Sequence, residues 1–173
     1  MSVSDDSSIS IESFSPASPL LEGALDAYVA VFGGEREQAR DFITRYATTY
    51  PHFAGAVALD RGRVVGLGWG AQGIPGNWWY DQVTARVGHD HPALRDAWVL
   101  VELGVLPEYR GGGLGARLHD AAIAAQPLAR QLLSTQVSDA GARRLYERLG
   151  WTYLHPGFAF REGEEPFVVM RRP

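Results

Sequence analysis

The stretch Val105-Leu106-Pro107-Glu108-Tyr109-Arg110-Gly111-Gly112-Gly113-Leu114-Gly115-Ala116 decides how the rest of the chain is read. It follows the most strand-like segment of the sequence, residues 97–106, and it opens a segment of helical period. That helix is predicted from Gly113 to Gln126, with Leu114, Leu118, Ala121 and Ala125 inward and Pro127 just beyond. A strand that runs through a glycine turn into a helix is an anion cradle. Glycines carry no Cβ, so successive backbone N–H groups can converge on phosphate oxygens while the helix N-terminus adds its partial positive charge. Arg110 stands at the lip, placed for a charge-assisted contact with a phosphate; the bland reading makes it a surface residue.

Working outward from the cradle, texture predicts the remaining elements. Ile9, Ile11 and Phe14 read as a first strand after a loose polar leader, residues 1–8. Ser18-Pro19 reads as an N-cap with proline at the first helical position, followed by Leu21, Leu25, Tyr28 and Phe32 at helical spacing and a Gly33-Gly34 stop. A second helix runs from Glu35 to Pro51. Phe53–Leu59 and Val64–Trp69 read as strands joined by Asp60-Arg61-Gly62-Arg63. Gly66, Gly68 and Gly70 share one face of the second strand, leaving it open to a helix, a bulge or a ligand. After a polar and aromatic insert at 73–96 come the cradle strand and helix, a strand at Leu132–Val137, a helix at Asp139–Leu149, and two strands near 151–154 and 167–170. The succession predicts a single mixed α/β (α+β) domain over residues 1–173.

Composition removes several classes. The chain has 173 residues and a net charge of -4, so no nucleic-acid partner is expected. It has no cysteine, hence no disulfide, cysteine nucleophile or thiolate metal site. All 16 basic residues are arginine, which removes a Schiff-base lysine and a Ser-Lys dyad. No apolar run approaches a membrane span, and the N-terminus is acidic and serine-rich, so a cytoplasmic protein with no membrane partner is expected.

Three nucleotide readings compete for the cradle. A P-loop needs a lysine the chain does not have. A dinucleotide fingerprint, hence NAD(P) binding, is matched on paper by Gly111-x-Gly113-x-x-Ala116 with Asp139 beyond it. That fold normally opens on its glycine loop, whereas here several elements precede it. Gly66-x-Gly68-x-x-Ala71 meets the same loose pattern inside a strand.

The third reading rests on two motifs in order. Val105-x-Pro107-x-x-Arg110-Gly111-x-Gly113-x-Gly115 resembles the acetyl-CoA signature of the GNAT N-acetyltransferase superfamily, whose Arg/Gln-x-x-Gly-x-Gly/Ala core is met by Arg110, Gly113 and Gly115. The later stretch Asp139-Ala-Gly-Ala142-Arg-Arg-Leu145-Tyr146-Glu-Arg-Leu149-Gly150-Trp151 resembles the family's Asn-x-x-Ala-x-x-Leu-Tyr-x-x-x-Gly-Phe segment. Asp139 replaces the usual asparagine, keeping an N-cap oxygen but losing an amide donor, and Trp151 replaces phenylalanine. The resemblance covers residues 97–170; the first half matches in element order only.

The resemblance implies a mostly antiparallel sheet with a splayed pair of middle strands. Acetyl-CoA is then the co-substrate, with its pantetheine against the backbone of Leu103, Gly104 and Val105 and its diphosphate on Arg110, Gly111, Gly112, Gly113, Leu114, Gly115 and Ala116. Asp139 and Tyr146 join the cofactor set. The amine attacks the thioester directly, and a strand N–H stabilises the oxyanion. Tyr146 is the expected proton donor to the departing thiolate and Glu102 the expected base. Spacing alone reads Tyr146 as a core tyrosine beside Leu145 and Leu149, and Glu102 as a strand-end charge or an arginine partner.

The insert carries Trp78, Trp79, Tyr80 and Asp81. They either line a site for a cationic or aromatic amine or form a short helix that caps the sheet. His89-Asp90-His91 reads as a plain loop, and no metal is assigned. The acceptor is expected to be a small-molecule or peptide amine. A homodimer is compatible with the sequence, and a non-catalytic acyl-CoA-binding domain is the alternative from another class.

Overall fold

The computed structural model describes residues 8–173, so the polar leader falls outside the described residues except for Ser8. The elements are β1 (Ile9–Ser13), α1 (Leu21–Phe32), α2 (Arg36–Thr49), β2 (Ala54–Asp60), β3 (Arg63–Gln72), α3 (Trp78–Val87), β4 (Ala97–Val105), α4 (Leu114–Ala124), β5 (Arg130–Gln136), α5 (Ala140–Arg148), β6 (Thr152–Phe158) and β7 (Phe167–Arg172). The predicted succession is present, and the insert forms the short helix considered for it, α3. The helix expected to follow Ser18 begins later. Ser18 accepts the Leu20 N–H on its Oγ and the Leu21 N–H on its carbonyl, both at 3.1 Å, so it closes a turn and Leu20 becomes the N-cap.

Seven strands form a mixed sheet in the order β1-β2-β3-β4-β5-β7-β6. The β1/β2, β2/β3, β5/β7 and β6/β7 pairs are antiparallel and β4/β5 is parallel. The β4/β5 ladder consists of Ala97–Val99 against Arg130–Leu132 and ends there, while β5 keeps its β7 partner as far as Gln136. A short ladder of this kind is what a splayed middle pair requires. The chain divides into two compact units, one running through Ala71 together with Glu102–Pro127 and the other holding Gln72–Val101 with Leu128–Pro173. Strand β4 contributes to both.

In the first unit, the β2–β3 hairpin turns on Arg61 (φ 50°) and Gly62 (φ 82°), two left-handed residues that suit the twist of an antiparallel pair. The bare face of β3 is filled by packing. A Cβ on Gly66 would lie 2.8 Å from Leu118 Cδ1 and 3.1 Å from the Gly104 carbonyl, and one on Gly68 would lie 2.9 Å from Leu103 Cδ1. The glycines thus admit α4 and the β4 side chains closely. Leu118 and Leu114 join Ala56, Ala58, Val65, Val105 and Leu106 in one core cluster. On the opposite face, Trp69 is fully buried and boxed edge-to-face by Phe42 and Tyr46 of α2. In the second unit, Val83 of α3 packs with Leu94, Ala97, Val99, Leu132 and Val169. Among the described residues no helix is long and apolar enough to cross a membrane.

Leu118 is fully buried against the glycine face, so Leu118→Ala leaves a cavity the backbone cannot collapse to fill. Its expected cost is about 2–5 kcal/mol of folding stability, read from the denaturant midpoint at an unchanged m-value.

Candidate active site

The cradle is built from the end of β4 outward. Leu106 N–H donates to the Val65 carbonyl at 2.9 Å, holding the strand end against β3, and Pro107–Tyr109 then make one tight turn of 3-10 helix. The Tyr109 hydroxyl donates to Asp60 Oδ2 at 2.6 Å, which ties this turn to the β2–β3 hairpin. Arg110 turns its Nε–H back onto the Val105 carbonyl at 3.0 Å, bracing the loop and leaving its terminal nitrogens as further donors.

Gly111 (φ 86°) and Gly113 (φ 83°) adopt left-handed backbone that a Cβ would strain. A Cβ at Gly111, Gly112 or Gly113 would meet no protein atom within 4 Å, so this surface is open to a ligand. Gly113 is the N-cap of α4 and offers no side-chain oxygen. The first-turn amides of Leu114, Gly115 and Ala116 therefore receive no side-chain cap from it, whereas the Asn77 and Asp139 side chains cap α3 and α5. Open glycines beside uncapped helix amides fit a diphosphate.

Strand alternation sorts the residues just before the cradle. Leu103 and Val105 pack against the α4 side, while Glu102 and Gly104 face α1. The Tyr28 hydroxyl of α1 donates to Glu102 Oε1 at 3.1 Å. Glu102 as a whole is half-buried, yet protein crowds its carboxyl enough for burial to push its pKa up to about 7 from the usual 4.5; the Tyr28 hydrogen bond pulls the other way. Burial and the Glu102 charge push the Tyr28 hydroxyl far above its ordinary value, so it stays a donor. The arginine partner considered for Glu102 is absent among the described hydrogen bonds and ion pairs; its partner is Tyr28. Sequence reasoning missed Tyr28 because its spacing marks only a core position of α1.

The second unit holds the other predicted residues. Asp139 caps α5, its Oδ1 accepting the Ala142 N–H at 2.9 Å, so the N-cap role survives the loss of asparagine. Tyr146 is the buried residue of α5 and packs edge-to-face on Trp151 with ring centroids 6.0 Å apart. In the insert, Trp79 Nε1 donates to Ser134 Oγ at 2.9 Å and the Tyr80 hydroxyl donates to the Leu94 carbonyl at 2.9 Å. Asp81 accepts the Gly76 N–H at 3.1 Å, and Trp78 is 46% exposed beneath the Arg161 guanidinium. Trp79, Tyr80 and Asp81 thus have local structural partners, and Trp78 packs on Phe160 and Arg161 while staying partly exposed. His91 Nδ1 accepts the Ala93 N–H, and among the described residues no group of three or more histidines and carboxylates is placed to hold a metal.

A strand, an open glycine turn and an uncapped helix make a surface on which phosphate oxygens could be held, and a carboxyl near neutrality lies just before the turn. Comparison with known proteins narrows that reading. The acetyltransferase (GNAT) domain family matches residues 51–153. A GCN5-like protein acetyltransferase of Mycobacterium tuberculosis is 32% identical over 156 residues, covering 84% of this chain and 72% of that protein. Among solved structures, the NatC complex bound to Gag peptide and CoA aligns at a TM-score of 0.68 with 16% identity, covering 95% of this chain and 98% of that chain. The ribosomal-protein-S18-alanine N-acetyltransferase from Escherichia coli aligns at 0.63 with 17% identity, covering 95% and 93%. Arabidopsis thaliana Naa50 in complex with a bisubstrate analogue aligns at 0.63 with 15% identity, covering 96% and 99%. The chain belongs to the GNAT acetyltransferase family and is an acyltransferase.

The Glu102 ionisation is linked to folding. A carboxyl whose folded pKa is about 7 against the usual 4.5 of an unfolded chain binds more protons folded than unfolded between those values, so its contribution to stability is present below the lower value and lost as pH rises through the upper one. Glu102→Gln is therefore expected to melt above the parent at about pH 8, with the gain vanishing below about pH 4.5. Thermal unfolding of both proteins across that range checks the sign.

Proposed function

We propose that the chain, acting as one acetyltransferase domain over residues 1–173, transfers an acetyl group from acetyl-CoA to a primary amine within a ternary complex. The observation that carries this reading is Glu102, a carboxyl held near neutrality on β4, three residues before Val105 and the glycine turn. An alkylammonium of pKa about 10 must lose a proton before its nitrogen can attack, and a base poised near pH 7 is suited to receive it.

Acetyl-CoA supplies the acetyl thioester. The N–H groups of Gly111–Ala116 and the Arg110 guanidinium hold its diphosphate, and the backbone of Leu103, Gly104 and Val105 pairs with its pantetheine amides. Glu102 takes the ammonium proton, directly or through one water, as the nitrogen adds to the carbonyl. When the carbon–sulfur bond breaks, Tyr146 gives its proton to sulfur and is reprotonated through water by the second proton the new amide nitrogen sheds; this role is carried over from the α5 motif, which keeps Leu145-Tyr146 and the Gly150 stop. Asp139 serves by fixing the start of the helix that carries Tyr146.

The acceptor is a peptide or small-molecule amine. The named relatives act on protein or peptide amines, which favours a peptide here, and the partly exposed Trp78 is a candidate wall for it. A cytoplasmic location goes with this reading.

Free thiol released from acetyl-CoA across a panel of amines, set beside CoA binding by calorimetry, is the test. Tyr146→Phe is expected to lower kcat by about 10²-fold with CoA affinity nearly unchanged, and Glu102→Gln to lower kcat/KM at neutral pH by about 10–10²-fold while erasing the limb near pH 7. Tight CoA binding without thiol release from any amine would instead mark a non-catalytic acyl-CoA-binding domain.

A further inference from the structure

We infer that Tyr28 is a positioning residue for the reaction: its hydroxyl, 3.1 Å from Glu102 Oε1, aims that carboxylate and leaves its other oxygen to receive the proton. The inference rests on the reading of Glu102 as the base.

The arrangement is built rather than incidental. Tyr28 and Glu102 lie 74 residues apart in the chain, and α1 reaches β4 at this point because Gly104 lacks a side chain. A Cβ on Gly104 would lie 2.6 Å from Val31 Cγ1 and 2.8 Å from Phe32 Cζ, so any larger residue would push the end of α1 away from Glu102. The Tyr28 ring is steadied by Phe32 one turn along, with centroids 4.9 Å apart. Its phenol has a single hydrogen to give, and it goes to one carboxyl oxygen.

Two influences act on the Glu102 carboxyl among the described residues: burial, and this hydroxyl. Gly68, which lies beside the Glu102 backbone on β3, carries no titratable group. A donor stabilises the ionised form, so Tyr28 works against burial and keeps the base ionised through more of the neutral range. It also removes the rotational freedom a lone glutamate would have.

Tyr28→Phe keeps the ring and its packing and deletes only the donor. The expected result is an upward shift of about one unit in the limb of kcat/KM that rises with pH through Glu102. That amounts to about a tenfold loss well below the limb and little loss on the plateau. The same shift is expected in the Glu102 carboxyl titration followed by carbon NMR on labelled glutamate, a measurement that needs no turnover. A rate lowered by one factor at every pH, with the Glu102 midpoint unmoved, would make Tyr28 merely structural and overturn the inference. Failure of the underlying reading looks different: full turnover by Glu102→Gln would remove Glu102 as base, whatever Tyr28→Phe does.

Discussion

The first unit depends on how closely α4 can approach β3. Gly66 and Gly68 present only backbone on that face, and Leu118 with Leu103 fills the space their side chains would take. A methyl group there would lie 2.8 Å from Leu118 Cδ1 or 2.9 Å from Leu103 Cδ1, closer than real Cβ atoms come, so a side chain would have to shift. Between the end of β4 and the first turn of α4 lie only residues 106–113, which make a tight turn, Arg110 and three glycines.

That loop is stiffened by two bonds to parts of the chain far away in sequence and by one local bond. Tyr109 is held by Asp60 at the hairpin, Leu106 by Val65, and Arg110 by the carbonyl of Val105. Glycine supplies permission for the left-handed turns at Gly111 and Gly113, but permission is also freedom, and freedom costs entropy when a ligand binds. These anchors just ahead of the glycines reduce that cost in advance. Only the glycine surface itself is left without neighbours, where a diphosphate would lie.

The opposite face of the same strand shows how a carboxyl is tuned. Glu102 sits where protein has displaced much of its water, which favours the neutral acid, and a single phenol hydrogen bond partly restores the charge. Burial raises the pKa, the hydrogen bond lowers it, and together they leave the group at about 7. The same logic separates the residues of the insert. Trp79, Tyr80 and Asp81 each spend their polar atoms on a nearby serine, carbonyl or amide and so hold α3 in place. Trp78 is left partly exposed.

Much of this was legible in the sequence for local reasons. The strand-turn-helix around Arg110, the stop at Gly33-Gly34, the cap at Asp139 and the hairpin at Gly62 each follow from a residue's own backbone preferences or a cap within a few positions, which no distant contact needs to supply. The exact start of α1 escaped because Ser18 has two local hydrogen-bonding options and the turn took both acceptors. The purpose of the β3 glycines, the anchoring of Tyr109 and the meeting of Tyr28 with Glu102 join residues dozens of positions apart. Periodicity assigns such residues to a face but cannot say what that face will touch, and the pKa of a carboxyl is set by what surrounds it in space. The type and order of elements belong to the sequence; the working state of Glu102 belongs to the fold.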